Sequence, residues 1–133
     1  MRYLIDTHLL VWAMGSPERL PNGLAALLDA PDTTPVFSVA SLWELMQKHA
    51  LRRPGFQLHV SVLRRALLDC GWDELPILPA HVLALSGWSH STRDPFDGLL
   101  VAQADCEGIL LISADPEVGG MPGPVRWMPV FNA

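Results

Sequence analysis

Short, wholly apolar segments set between helical ones constrain this chain most. "RYLI" at 2–5, "TPVFS" at 34–38 and "ILLIS" at 109–113 offer water no polar face, and "ELPIL" at 74–78 and "VRWMPV" at 125–130 are further extended candidates. A strand that is apolar on both faces must be covered on both, which is the condition of a parallel sheet between helical layers. The intervening segments supply those helices. Helical spacing follows the first strand in "HLLVWAM", is broken at Gly15, Ser16 and Pro17, and resumes in "ERLPNGLAALLDA" as far as Pro31. Ser38 is placed to cap "VASLWELMQKHAL", in which Leu42, Leu45, Met46 and His49 keep helical spacing. After Pro54 and Gly55, "LHVSVLRRALLDCG" is amphipathic and ends on Gly71, "AHVLALSGW" follows, and a further helix is expected over 95–107. The expectation is a single α/β domain over 1–133 with a central, mainly parallel sheet of about four or five short strands, joined by right-handed crossovers and flanked by helices.

Composition narrows the function. Half of the 133 residues are hydrophobic and only 17% are charged, which suits a well-buried core. A net charge of −5 with nine basic residues argues against a bulk-basic nucleic-acid binder. Five of those nine (Lys48, Arg52, Arg53, Arg64 and Arg65) nevertheless fall between 48 and 65, and six acids fall between 94 and 117. A local basic strip beside an acidic pocket therefore stays open, as does an ordinary solvated helix face. No apolar run reaches the length of a membrane span, and the N-terminal stretch lacks the small-residue cleavage site of a signal peptide. Cys70 and Cys106 show no metal or redox spacing and are expected as buried, reduced thiols. A cytoplasmic protein without a membrane partner is the expectation.

In parallel sheets, ligands bind at the carboxyl ends of the strands. Asp6 ends the first strand, Glu44 lies in the second turn of the helix after the second strand, and Asp115 follows "ILLIS". Asp97 opens the helix leading into that strand and joins the others only if its N-terminus reaches the same edge. Each acid also has a local explanation. Asp6 and Asp115 suit helix caps, Glu44 can pair with Lys48 at i+4, and in "RDPFD" Asp94 can cap a helix with Pro95 at its first position. Convergent carboxylates, however, repel one another and need a cation, and all-oxygen ligands suit Mg²⁺ or Mn²⁺ rather than zinc. Such a metal supports hydrolysis of a phosphodiester. Phosphate-binding, nucleophile-elbow and dinucleotide motifs are missing from the sequence.

"LIDTHLLVWA", "SVASLWELMQK", "RDPFDGLLVAQA" and "LLISAD", in this order and spacing, resemble a PIN-domain ribonuclease of the VapC toxin type, over nearly the whole chain. The resemblance implies a PIN-like fold and Mg²⁺- or Mn²⁺-dependent endonucleolytic cleavage of RNA. It implies metal ligation and catalysis by Asp6, Glu44, Asp97 and Asp115, and it also implies a homodimer and a cognate antitoxin that lays a peptide across the acidic groove. Ser113 stands where such proteins often carry threonine, keeping the hydroxyl. Gly98 stands where a basic residue often follows "DPFD", which removes one contact to RNA or a second copy. Thr7, Asp94 and Ser113 are candidates to orient the acids, local backbone bonding being the alternative. Lys48, Arg52, Arg53 and Arg93 are candidate RNA contacts, with Arg64 and Arg65 behind them. Trp43 is expected in the core, and Trp12, with Met14 nearby, either at a partner surface or buried. The histidines are scattered; none is expected to be an obligatory catalyst, and His8 lies closest to the acids. The competing reading is a PIN-fold binding module whose acidic groove captures basic residues of a partner peptide without turnover. An aspartyl-phosphate phosphatase would need an acid two residues after Asp6, where His8 stands.

Overall fold

A computed structural model describes residues 1–52, 59–88 and 94–130, with the backbone alone at 49–52. Its frame is a five-stranded sheet of β1 (Arg2–Ile5), β2 (Thr34–Ser38), β3 (Asp73–Leu75), β4 (Leu110–Ser113) and β5 (Val125–Trp127). The order is β3-β2-β1-β4-β5, and every pairing is parallel. The chain thus builds outward from β1 to β2 and β3, then returns to the other side of β1 for β4 and β5. That reversal puts a topological switch point between β1 and β4.

Helices cover the sheet: α1 (Thr7–Gly15), α2 (Leu24–Asp29), α3 (Val39–Arg52), α4 (Val60–Asp69), α5 (Pro79–Ala84), α6 (Pro95–Glu107) and α7 (Pro116–Gly119). The expected helical stretch from Glu18 to Ala30 is instead split into a short 3-10 turn at Pro17–Arg19 and α2, because Pro21 and Gly23, the latter at φ 85°, interrupt the turn-to-turn bonding. Ser38 caps α3 as its position suggested, accepting from the Ala40 N–H at 2.9 Å. Helix α6 starts with Pro95 at its first position and ends at Gly108, whose φ of 67° only glycine adopts cheaply.

Alternation along the strands divides the core into two. Tyr3, Ile5, Phe37 and Ile112 face Leu9, Leu10, Leu24, Leu63 and Leu67 on one side. Leu4, Val36 and Leu111 face Leu99, Leu100, Val101 and Ala104 on the other. The period of two in the strands sends neighbours to opposite faces. Helix α6 is buried on all sides from Asp97 to Ala104, as befits a helix packed between the sheet and its neighbours α3 and α5. Among the described residues no helix is long and apolar enough to cross a membrane.

Three expectations meet a different outcome. Cys70 and Cys106 are exposed free thiols, because each lies at the solvent side of a helix C-terminus rather than on its packed face. Trp43 is 52% exposed instead of in the core. Its neighbours Leu42 and Leu45 on α3 take the inward positions, so Trp43 points away from them. Pro54 and Gly55 lie outside the described residues.

Leu4, with none of its surface exposed, is expected to lose about 2–5 kcal/mol of unfolding free energy as Leu4→Ala. Leu83→Ala, at a position 77% exposed, is expected to stay within about 0.5 kcal/mol of the parent in the same urea titration.

Candidate metal centre

Every strand points the same way, so every helix that follows a strand begins at the carboxyl edge. Helix α6 obeys the same rule from the other direction. As the crossover leading into β4 it runs antiparallel to the strands, so its N-terminus already lies at that edge. Asp97 therefore meets the condition set for it, its helix N-terminus lying at the same edge as the other acids.

Asp6 is held on both oxygens. Its backbone N–H continues the ladder to Ile112 O at 3.0 Å, Oδ1 accepts from the Thr7 N–H at 2.7 Å, and Oδ2 accepts from Ser113 Oγ at 2.5 Å. Ser113 Oγ in turn accepts from the Asp115 N–H at 3.0 Å, tying the two post-strand turns together. Asp115 caps α7 through Oδ1, which takes the Glu117 N–H at 2.9 Å. Glu44 is buried; Oε1 lies 2.6 Å from Thr7 Oγ1, and Oε2 takes the Lys48 ammonium. Thr7 has one hydroxyl proton, which the carboxylate takes, so Ser41 Oγ, 2.9 Å away, donates in the Thr7–Ser41 pair. Lys48 also reaches Asp94 Oδ2 at 3.1 Å, while Asp94 Oδ1 caps α6 on the Phe96 N–H at 3.0 Å.

Asp97 stands apart. It is 6% exposed, yet among the described residues nothing donates to its carboxylate. Burial first, then the charges of Asp6, Asp94, Glu44 and Asp115, push it up to about 8. Asp6 is also pushed up by burial, against which the Ser113 and Thr7 bonds work, with the Glu44 charge adding to the rise. Burial opposes the Lys48 charge, but the bonds and charges of Glu44 and Asp94 outweigh it and raise the ammonium. Lys48 is the basic side chain that forms ion pairs within the cluster among the described residues, while His8 lies beside Asp6. Asp6, Asp97 and Asp115 form no ion pair among the described residues.

Asp6, Glu44 and Asp115 lie near enough for their charges to act on Asp97, and each local explanation also holds: three of the acidic positions, Asp6, Asp94 and Asp115, are helix caps, and Glu44 does pair with Lys48. Ser41 was overlooked by sequence reasoning, although its place three residues before Glu44 sets both on one helix face. Arg64 and Arg65 are engaged elsewhere: Arg64 forks onto Glu74 at 2.5 and 3.1 Å, and Arg65 pairs with Asp69 at 3.3 Å. Arg53, Arg93 and the side chain of Arg52 lie outside the described residues.

The donor set is rich in oxygen and short of positive charge, which suits a hard divalent cation. Among the described residues no three acids, histidines or cysteines close into a ready-made cage.

The PIN domain family matches residues 3–121, which span β1 to the turn after α7. The chain belongs to the PIN domain family. PIN domains generally use divalent metal ions, in keeping with the oxygen-rich cluster. The fold is similar to that of DNA-bound VapBC from Salmonella typhimurium, with a TM-score of 0.70 at 12% identity over 96% of this chain and 98% of that one. VapBC2 from Rickettsia felis, bound to a DNA fragment from its promoter, gives 0.69 at 15% identity over 95% and 98%. VapBC-1 from nontypeable Haemophilus influenzae gives 0.64 at 16% identity over 98% of both chains. At such identities the likeness establishes the fold. No curated protein matches the sequence significantly.

Without metal, the neutral form of Asp97 is favoured in the folded state over the unfolded one. Its contribution to stability is complete below the ordinary carboxylate range and is lost as pH rises through about 8. In EDTA the melting temperature is therefore expected to fall between about pH 5 and pH 9. Asp97→Asn should flatten that fall in part, leaving the contribution of Asp6, which has the same sign. Thermal unfolding of both proteins across that range checks this.

Proposed function

We propose that this PIN domain is the toxin of a type II toxin–antitoxin pair, of the VapC type. In this reading it is an endoribonuclease that hydrolyses RNA phosphodiester bonds with Mg²⁺ or Mn²⁺ held by Asp6, Glu44, Asp97 and Asp115. The observation that carries the reading is Asp97, a residue only 6% exposed and set among four other acids, whose carboxylate oxygens meet no donor among the described residues and stay open to a ligand from solvent. When bound, such a cation polarises a phosphoryl oxygen and lowers the pKa of a water that attacks in line. The chain's own residues prepare for it. Thr7 and Ser113 fix the oxygens of Glu44 and Asp6 that a ligand must otherwise immobilise. Lys48 relieves repulsion between Glu44 and Asp94 without reaching Asp6 or Asp115, leaving that side of the cluster for a cation. The N-termini of α1 and α6 add N–H groups and positive dipole ends facing an incoming phosphate.

The three solved structures compared above are VapBC assemblies, which supports a cognate antitoxin as partner; in this reading its peptide lies over the acidic groove. A homodimer in the cytoplasm and a single domain over the whole chain complete the reading. The binding-module alternative has one observation in its favour: Lys48 already demonstrates that Glu44 and Asp94 accept a basic side chain.

Purified protein is expected to cut total RNA into discrete fragments with Mg²⁺ or Mn²⁺ and not with EDTA. Asp6→Asn and Asp97→Asn should each abolish cleavage and relieve growth arrest on expression, and undiminished cleavage by both would exclude the assignment. Ser113→Ala is expected to lower activity by about 10–100-fold through the freed Asp6 oxygen. Calorimetry with Mn²⁺ separates the alternatives, because a pure peptide-binding groove has no measurable affinity for the ion.

A further inference from the structure

A cleft of about 270 Å³ opens between the turns that leave β1 and β4, at the switch point of the sheet. Its two ends differ in chemistry. Asp6 and Asp115, members of the acidic cluster, form one wall, while His8, Leu9, Trp12, Ala114 and Val130 form the rest. We propose that this cleft is a nucleobase subsite, in which the base next to the scissile phosphate stacks on the Trp12 indole.

The inference rests on the nuclease reading, which puts the phosphate at the acids through the cation. The group one nucleotide's reach from that phosphate is a flat, largely neutral ring, and the cleft sharing Asp6 and Asp115 is where it would go. Trp12 suits the task. It is partly buried and packed against the core cluster beneath α1, so little freedom is lost when a ligand covers it. The His8 ring lies 6.4 Å away, tilted by 39°, and so does not cover the indole as a parallel partner would. Trp43 contrasts with it: that indole is already in edge contact with Phe96 at 4.9 Å and 79°. Leu9 and Val130 give the cleft an apolar lining that a base face tolerates and a hydrated charge does not. Stacking of this kind is tolerant of base identity, so any preference would come from groups at the ring edge, of which His8 is the exposed polar candidate.

The test uses the full-length protein and single-stranded RNA oligonucleotides that span a bond cut in total RNA, either intact or carrying an abasic site on one side of that bond. Trp12→Ala is expected to lower kcat/KM on intact RNA by roughly five- to 150-fold, the stacking worth of about 1–3 kcal/mol per base converted at 1.36 kcal/mol per tenfold. Trp12→Phe should recover most of the loss, and the penalty should vanish on one of the two abasic RNAs. A penalty equal on intact and both abasic RNAs, or no penalty at all, overturns the proposal. Trp12→Ala is expected to melt below the parent because core packing is lost, so rates are taken well below its melting temperature, and unchanged Mn²⁺ calorimetry excludes loss of the metal centre as the cause. If the parent cuts no RNA, the nuclease reading fails on its own, and the cleft is judged by fluorescence anisotropy of homopolymeric RNA decamers with Mn²⁺. Binding weakened by Trp12→Ala sustains the subsite. Binding indifferent to Trp12, no RNA binding, or Trp12-dependent binding of an arginine-rich peptide alone overturns it.

Discussion

The common direction of the strands is the constraint on which everything else in this molecule depends. A parallel ladder delivers the end of β1, the end of β4 and the start of α3 to one edge, and antiparallel crossover packing delivers the start of α6 there as well. Helix N-termini thus crowd where the acids are. Each carries unsatisfied N–H groups and a positive dipole end that stabilise a nearby carboxylate by about 0.3–1 kcal/mol. Asp6, Asp94 and Asp115 are caps for this reason, and their capping is part of how the cluster is tolerated.

Capping a helix and holding an ion are not exclusive roles. A carboxylate has about four acceptor sites, and a cap occupies one. Asp6 uses Oδ1 for α1 and Oδ2 for Ser113, and lone pairs remain on both. The residual imbalance falls on Asp97, whose position in the first turn of α6 brings it among the others with no donor of its own. That Asp97 is held neutral by its acidic neighbours up to about pH 8 marks where positive charge is missing. Lys48 supplies part of it, but only to Glu44 and Asp94.

Away from the edge, a second polar system holds α5 against α6. Buried His81 accepts the Leu78 N–H on Nδ1 at 3.0 Å, so its Nε2–H faces Glu107 at 3.0 Å. Gln103 donates to Pro76 O at 3.3 Å and accepts from Ser38 Oγ at 2.5 Å. Nothing in the spacing of these residues announced the network, because its members come from β2, α5 and α6 and meet only when the helices pack. The same limit explains Trp43 and the two cysteines. Residue type suggests burial, but whether a given helix face turns inward is set by what packs on it, and Leu42 and Leu45 took that place on α3.

Much of the architecture was legible in local pattern. Both-face apolar strands require cover on both sides, Pro and Gly end helices for steric reasons, and cap residues precede first turns, so the alternation of elements and the parallel class followed from short-range physics. The four acids and their order were legible too, as were Thr7 and Ser113 beside them. What only the tertiary structure decided is how their charges are shared: that Ser41 relays through Thr7 to Glu44, that Lys48 joins Glu44 to Asp94, which lies 46 residues from Lys48, and that Asp97 has no donor among the described residues. Those outcomes depend on distances between segments far apart in the chain, and electrostatic interaction is decided by distance and burial, which no local spacing encodes.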